Sequence, residues 1–108
     1  MGQTQFVREE QLHSELFASF VSLLRSYTAL HGLPSGRQAS VESNPESIRV
    51  SHGERCLTLT RHHQIVTWTR ENGDRGTFEV TKAGNLRIAD REQAMDLAAE
   101  HWARELMQ

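Results

Sequence analysis

Between Ser47 and Ala89 apolar and polar residues alternate along the chain. Ile48 and Val50 point one way, Arg49 and Ser51 the other. Leu57 and Leu59 are set against Thr58 and Thr60, and Val66 and Trp68 against Thr67 and Thr69. Phe78 and Val80 oppose Thr77, Glu79 and Thr81, while Leu86 and Ile88 oppose Asn85 and Arg87. A period of two with one dry and one wet face predicts a half-buried antiparallel sheet.

The turns fix a register. A two-residue turn at Gly53-Glu54, with Gly first as a type II′ turn wants, pairs Val50 with Leu57 and Ile48 with Leu59. A turn at His62-His63 pairs Leu59 with Val66 and Leu57 with Trp68. A loop through Asn72-Gly73-Asp74 sets Trp68 against Phe78 and Val66 against Val80. A loop at Lys82-Ala83-Gly84 sets Val80 against Leu86 and Phe78 against Ile88. Shifting any strand by one residue would turn its apolar set into water. An extra edge strand at Gln38 to Ser43 is a further expectation. A turn at Asn44-Pro45 would set its Val41 against Ile48 and Ala39 against Val50.

Two helices flank this meander. From about Arg8 to His31, Leu12, Leu16, Phe20, Leu23, Leu24, Tyr27 and Leu30 form one stripe at helical spacing. Glu15, Ser19, Ser22 and Ser26 lie opposite. Residues before Arg8 are expected to fray. Gly32 suits the position after the helix and Pro34 stops it. Ser35 to Gln38 reads as a polar linker. At the other end Asp90 is expected to cap a second helix, with Gln93 completing a capping box. Ala94, Met95, Ala98, Ala99, Trp102 and Leu106 share its apolar face. Two striped helices and a sheet with one dry face predict an α+β, two-layer sandwich. In it an antiparallel meander of five, or six, strands carries the N-terminal and C-terminal helices on one face.

The 108 residues are expected to form a single domain. A formal net charge of -2 gives no footprint for nucleic acid or an anionic membrane. From Ser35 to Arg91 nine basic residues face seven acidic ones, and the polar sheet face has no aromatic for base stacking. One cysteine excludes an intramolecular disulfide and fits a reducing cytosol. No apolar run reaches spanning length, no secretory leader is expected, and Phe6 stands where a myristoylation motif needs Ser or Thr. A cytoplasmic location is the expectation.

Candidate chemistry is sparse. His62 and His63 are adjacent, and His52 belongs at the far end of the strand that leads to them, which argues against one metal site. Cys56 lies on the polar face near Arg49 and Arg55, with no base placed to activate it. No phosphate loop, nucleophile elbow or paired buried carboxylates occur, so no catalytic residue, cofactor or metal is expected. The order helix, antiparallel meander, helix is similar to that of frataxin-like folds. Glu9, Glu10 and Glu15 do not make the acidic ridge that holds iron there, so the likeness implies topology and no function.

Two function classes remain. The first is a non-enzymatic module that binds another protein or itself. Its contacts would be the polar face (Arg49, Thr58, Thr60, Thr67, Thr69 and Arg87) or the edge strands. The expected edges are Asn85 to Ala89 and either Gln38 to Ser43 or Ser47 to His52. The second is a small-ligand or metal-binding protein with a pocket between helices and sheet, near Tyr27, His31 and His101.

Because about a dozen large side chains make the whole core, single truncations are severe. Trp68→Ala or Phe78→Ala should cost about 3–5 kcal/mol in chemical denaturation. A loss under about 1 kcal/mol at either position would contradict its place in the core.

Overall fold

The structure, a computed structural model, describes residues 2–33 and 38–108, with side chains from residue 8 onward. Helix α1 spans Gly2–Gly32. Seven strands follow: β1 Ser40–Asn44, β2 Ser47–His52, β3 Arg55–His62, β4 Ile65–Arg70, β5 Arg75–Val80, β6 Asn85–Ile88 and β7 Arg91–Ala94. Helix α2 spans Met95–Met107. The strands pair in chain order as one antiparallel sheet, β1-β2-β3-β4-β5-β6-β7. The stop at Pro34 and the linker at 35–37 fall outside the described residues.

The face assignment follows the alternation. Ile48, Val50, Leu57, Leu59, Val66, Phe78, Val80 and Leu86 are all at most 5% exposed. They pack with Phe17, Phe20 and Leu24 of α1 and Met95, Ala98, Ala99, Ala103 and Leu106 of α2. Trp102 ties the layers together. Its ring lies edge-on to Phe78 at 5.3 Å, to Phe20 at 6.1 Å and to Trp68 at 6.4 Å, so one residue of α2 touches α1 and two strands. Small residues at 98, 99 and 103 let α2 lie close enough for that. The opposite face, with Thr60, Thr67, Thr69 and Thr77, is exposed.

Three pairings differ from expectation, each by two residues, so parity and faces survive. The β3–β4 turn is His63-Gln64, which sets Leu59 against Trp68 and Arg61 against Val66. His63 takes the positive φ of 59° at the first turn position that Gly53 takes at 62° in the preceding hairpin. Trp68 then faces Gly76 and not Phe78. The reason is steric: a Cβ at position 76 would lie 2.7 Å from the Trp68 indole, so only glycine fits beneath the ring. At the edge, Pro45-Glu46 forms the turn and Val41 faces Val50. Pro45 has the φ that the first turn position requires and holds Asn44 extended, while Asn44 Oδ1 accepts the Glu46 N–H at 2.9 Å.

The helix ends need correction. Helix α1 begins at Gly2, and Gly32 is its last residue without positive φ, so it is no left-handed cap. Leu30 lies off the stripe and is 55% exposed, while Phe17 and Thr28, each 1% exposed, are on it. Thr28 Oγ1 donates to the Leu24 and Arg25 carbonyls at 2.7 and 2.9 Å, which satisfies its hydroxyl inside the core. Asp90 caps nothing. The segment Arg91–Ala94 pairs with β6 as a seventh strand, and α2 starts after Ala94 with no side-chain cap. A turn at Ala89-Asp90, with Ala89 at φ 57°, folds the chain back before it can become helical. An L-residue there costs about 1–2 kcal/mol, which Gly avoids at an entropic cost of about 0.5–1 kcal/mol.

Ala89→Gly should therefore raise the free energy of unfolding by about 0.5–1 kcal/mol. Destabilisation by this substitution would contradict the left-handed turn.

Candidate functional site

The uncovered face of the sheet is the most regular surface on the molecule. Register arranges it in rows that cross the strands. One row runs Glu42, Arg49, Thr58, Thr69, Arg75 from β1 to β5. The next runs Asn44, Ser47, Thr60, Thr67, Thr77 over the same strands. A third runs His62, Ile65, Glu79, Arg87, Glu92 from β3 to β7. Threonine is favoured on a solvated strand by its branched Cβ, and cross-strand Thr–Thr pairs add to that. Of the expected contact residues, Arg49, Thr58, Thr60, Thr67 and Thr69 stand together in the first two rows. Arg87 stands apart, held by Glu79 at 3.7 Å and Glu92 at 3.3 Å. Ile65, 39% exposed, is the apolar residue of this face.

At the rim of the face lies Cys56, paired with Ser51 across β2. Arg49 Nε donates to its Sγ at 3.3 Å, and Ser51 and Thr58 hydroxyls lie at 3.7 and 4.0 Å. Partial burial pushes the thiol up, and the donors from Arg49, Ser51 and Thr58 outweigh it, so the net shift is downward. Arg49 rises in turn, by its hydrogen bond to this sulfur. A cleft of about 480 Å³ runs beside it, lined by Arg49, Ser51, Cys56, Thr58 and Thr69 among others.

Other polar groups serve the frame. Arg61, 8% exposed, sits on the helix face of β3 in phase with Leu57 and Leu59. Its Nη1 donates to Glu10 Oε1 at 2.8 Å and to the His63 carbonyl at 3.2 Å, and Glu10 Oε2 meets His63 Nδ1 at 2.8 Å. Glu10 thus bridges α1 to the β3–β4 hairpin. The hydrogen bonds from His63 and then Arg61 hold its carboxyl at about 2, against an ordinary 4.5. Sequence reading missed this bridge. The parity of 57, 59 and 61 was the available signal for Arg61, but nothing in the sequence pointed to Glu10 as its partner.

Tyr27, His31 and His101 were the pocket residues expected between helices and sheet. Tyr27 is half-buried against the core. His31 Nε2 lies 3.2 Å from Glu100 Oε1 and so joins α1 to α2. Arg104 first, and His31 after it, hold Glu100 below the usual carboxylate range. His101 pairs with Glu105 of its own helix at 3.4 Å. The cleft of about 450 Å³ between sheet and α2 is lined instead by Arg55, Leu57, Arg70, Trp102 and Glu105, among others. Its cations are engaged: Arg55 donates to the Glu105 carbonyl, and Arg70 pairs with the Glu105 carboxylate at 2.8 Å and stacks on Trp68. A third groove, lined by Arg25, Thr28, Ala29, Gly32, Leu33, Gln38, Ala39 and Val41, lies between the end of α1 and β1.

No protein-family model, curated protein or solved structure matches this chain. Among the described residues no three His, Cys, Asp or Glu side chains gather as a metal site, and no helix is long and apolar enough to cross a membrane. One edge is as expected, with β1 (Ser40–Asn44) outermost, and the other differs. Asn85–Ile88 is covered by β7, so the free edges are β1 and β7. Glu42 on β1, and Arg91, Glu92 and Gln93 on β7, make both edges poor templates for an added strand.

The Glu10 bridge has a pH signature. A carboxyl whose folded pKa is depressed stabilises the fold above its unfolded value and loses that contribution as pH falls. Wild-type stability should decline between pH 4.5 and about 2 more steeply than that of Glu10→Gln, when both are followed by denaturant titration. Parallel curves for the two proteins would contradict the bridge.

Proposed function

We propose that this chain is a non-enzymatic interaction module that binds a protein surface, another chain's or its own, through the uncovered face of its sheet. The observation that carries this reading is the one-sided sheet. Both helices lie on one face, and the other presents Thr58, Thr60, Thr67, Thr69 and Thr77 in cross-strand register. Such a face is rigid and is fixed from behind by the core. Its hydroxyls can donate or accept, and its methyl groups bury readily.

Charge favours a protein over a polyanion. Arg49, Arg75 and Arg87 stand on this face with Glu42, Glu79 and Glu92 in the same rows, so there is no single-sign field for phosphates. No Phe, Tyr or Trp stands among the row residues, and the one ring, His62, sits at the end of the third row with no second ring on the face to stack successive bases. The charged edges move the reading from strand addition to the face. The free thiol of Cys56 suits a reducing compartment, and a cytoplasmic location is part of the proposal.

Thr67 is exposed at the centre of the array, so Thr67→Lys should change stability by less than about 1 kcal/mol. It should also weaken at least about tenfold any association that the wild type makes at equal concentration, with itself or with a protein it retains. Equal association by both proteins would contradict the proposal.

A further inference from the structure

The open face is self-complementary about its middle row. Along β5 the successive open-face residues are Arg75, Thr77 and Glu79, and Thr77 stands in line with Thr67 and Thr60. Consider two copies placed face to face with a two-fold axis along that line. Each residue one step above the line then meets the residue one step below it on the other copy. Arg75 meets Glu79, and Glu79 meets Arg75, so one geometry makes two ion pairs. Thr69 meets Ile65 in the same way, which covers the apolar residue exposed on this face. Thr60, Thr67 and Thr77 face their own counterparts across the axis.

Distance and charge permit it. Packed sheets lie about 10 Å apart, a gap that an arginine and a glutamate reach across together. Aligned sheets cross at about 30°, so pairs near the axis keep their partners while distant ones drift. The Arg75 guanidinium has no hydrogen-bond or ion-pair partner among the described residues. Glu79 is half-buried and shares Arg87 only at 3.7 Å, leaving a carboxylate able to take a second cation. The central block covers about 500 Å² per copy at strand spacings of about 4.8 Å, or about 1,000 Å² in all. That is the lower bound for a specific interface, and a complex at that bound is weak and concentration-dependent.

We infer that the occupant of the threonine face is a second copy of this chain, docked about a two-fold axis that pairs Arg75 of each protomer with Glu79 of the other. This rests on the face being the contact surface, and it names the partner. In an isologous interface every contact occurs twice, so reversing one charge sets like charges together at both sites. Reversing both restores the pairs.

Sedimentation velocity across about 5–500 µM chain tests this on the wild type, Arg75→Glu, Glu79→Arg and the double variant, with thermal midpoints as the control for folding. The wild type should dimerise within that range. Each single reversal should weaken the dimer at least about tenfold, and the double reversal should recover it to within about threefold. A wild type that stays monomeric throughout overturns the inference. So does a dimer equally strong in all four proteins, or one lost in the single variants and not recovered in the double. If the wild type is monomeric and a retained protein is lost with Thr67→Lys, only the self-pairing fails. If retention is also unchanged, the reading of the face fails with it.

Discussion

The constraint on which the structure depends is that the sheet has one dry side. Eight strand residues from β2 to β6 are nearly sealed from solvent, and all of them point toward the helices. Burying each contributes about 1.5–3 kcal/mol, and no second layer exists to compensate an error. Trp102 concentrates that dependence, because its ring meets Phe20 of α1 and Trp68 and Phe78 of the sheet. Both layers therefore depend on one side chain of the shorter helix. The exposed side follows from the same alternation, since every residue that flanks a buried one in a strand must face away.

This explains which features were legible in the sequence. Period-two alternation gave every strand from Ser47 to Ile88 its correct face, and the turns at Gly53-Glu54 and Lys82-Ala83-Gly84 gave β2–β3 and β5–β6 their registers. The shift at β4–β5 lay in tertiary sterics, and those at β1–β2 and β3–β4 in the turn backbone at Pro45 and at His63. Trp68 needs the gap that Gly76 leaves, and alternation alone does not mark Gly76 as a seat for an indole. Likewise Asp90 and Gln93 form a good capping box in isolation, but Arg91–Ala94 pairs with β6 first, and backbone pairing to a sheet edge outranks a local cap. Leu30 kept helical spacing yet fell outside the stripe, because α1 meets the core along Phe17, Phe20, Leu24 and Thr28.

The site was legible to the same extent and for the same reason. The face that carries Thr58, Thr60, Thr67 and Thr69 could be read from alternation alone, as could Cys56 near Arg49, but the rows that pair Thr58 with Thr69 and Thr60 with Thr67 follow from the shifted β3–β4 turn. What alternation does not encode is long-range pairing. The bridge from Glu10 to Arg61 and His63 spans over fifty residues of sequence, and the His31–Glu100 contact spans 69. These pairs hold α1 in place over the sheet and keep it clear of the opposite face. The uncovered side is therefore a stable surface for binding, which is what the proposed role requires of it.

Side-chain accessibility on the two faces of one strand tests the central claim most directly. In a Cys56→Ser background, cysteines placed singly at positions 66 and 67 would be timed against a thiol reagent under native conditions. At chain concentrations well below the range in which the dimer forms, a thiol at 67 should react at close to the rate of an unfolded chain, while one at 66 reacts only through unfolding. A protected thiol at 67 with a reactive one at 66 would mean that the helices cover the other face, and the fold and its proposed contact surface would both be wrong.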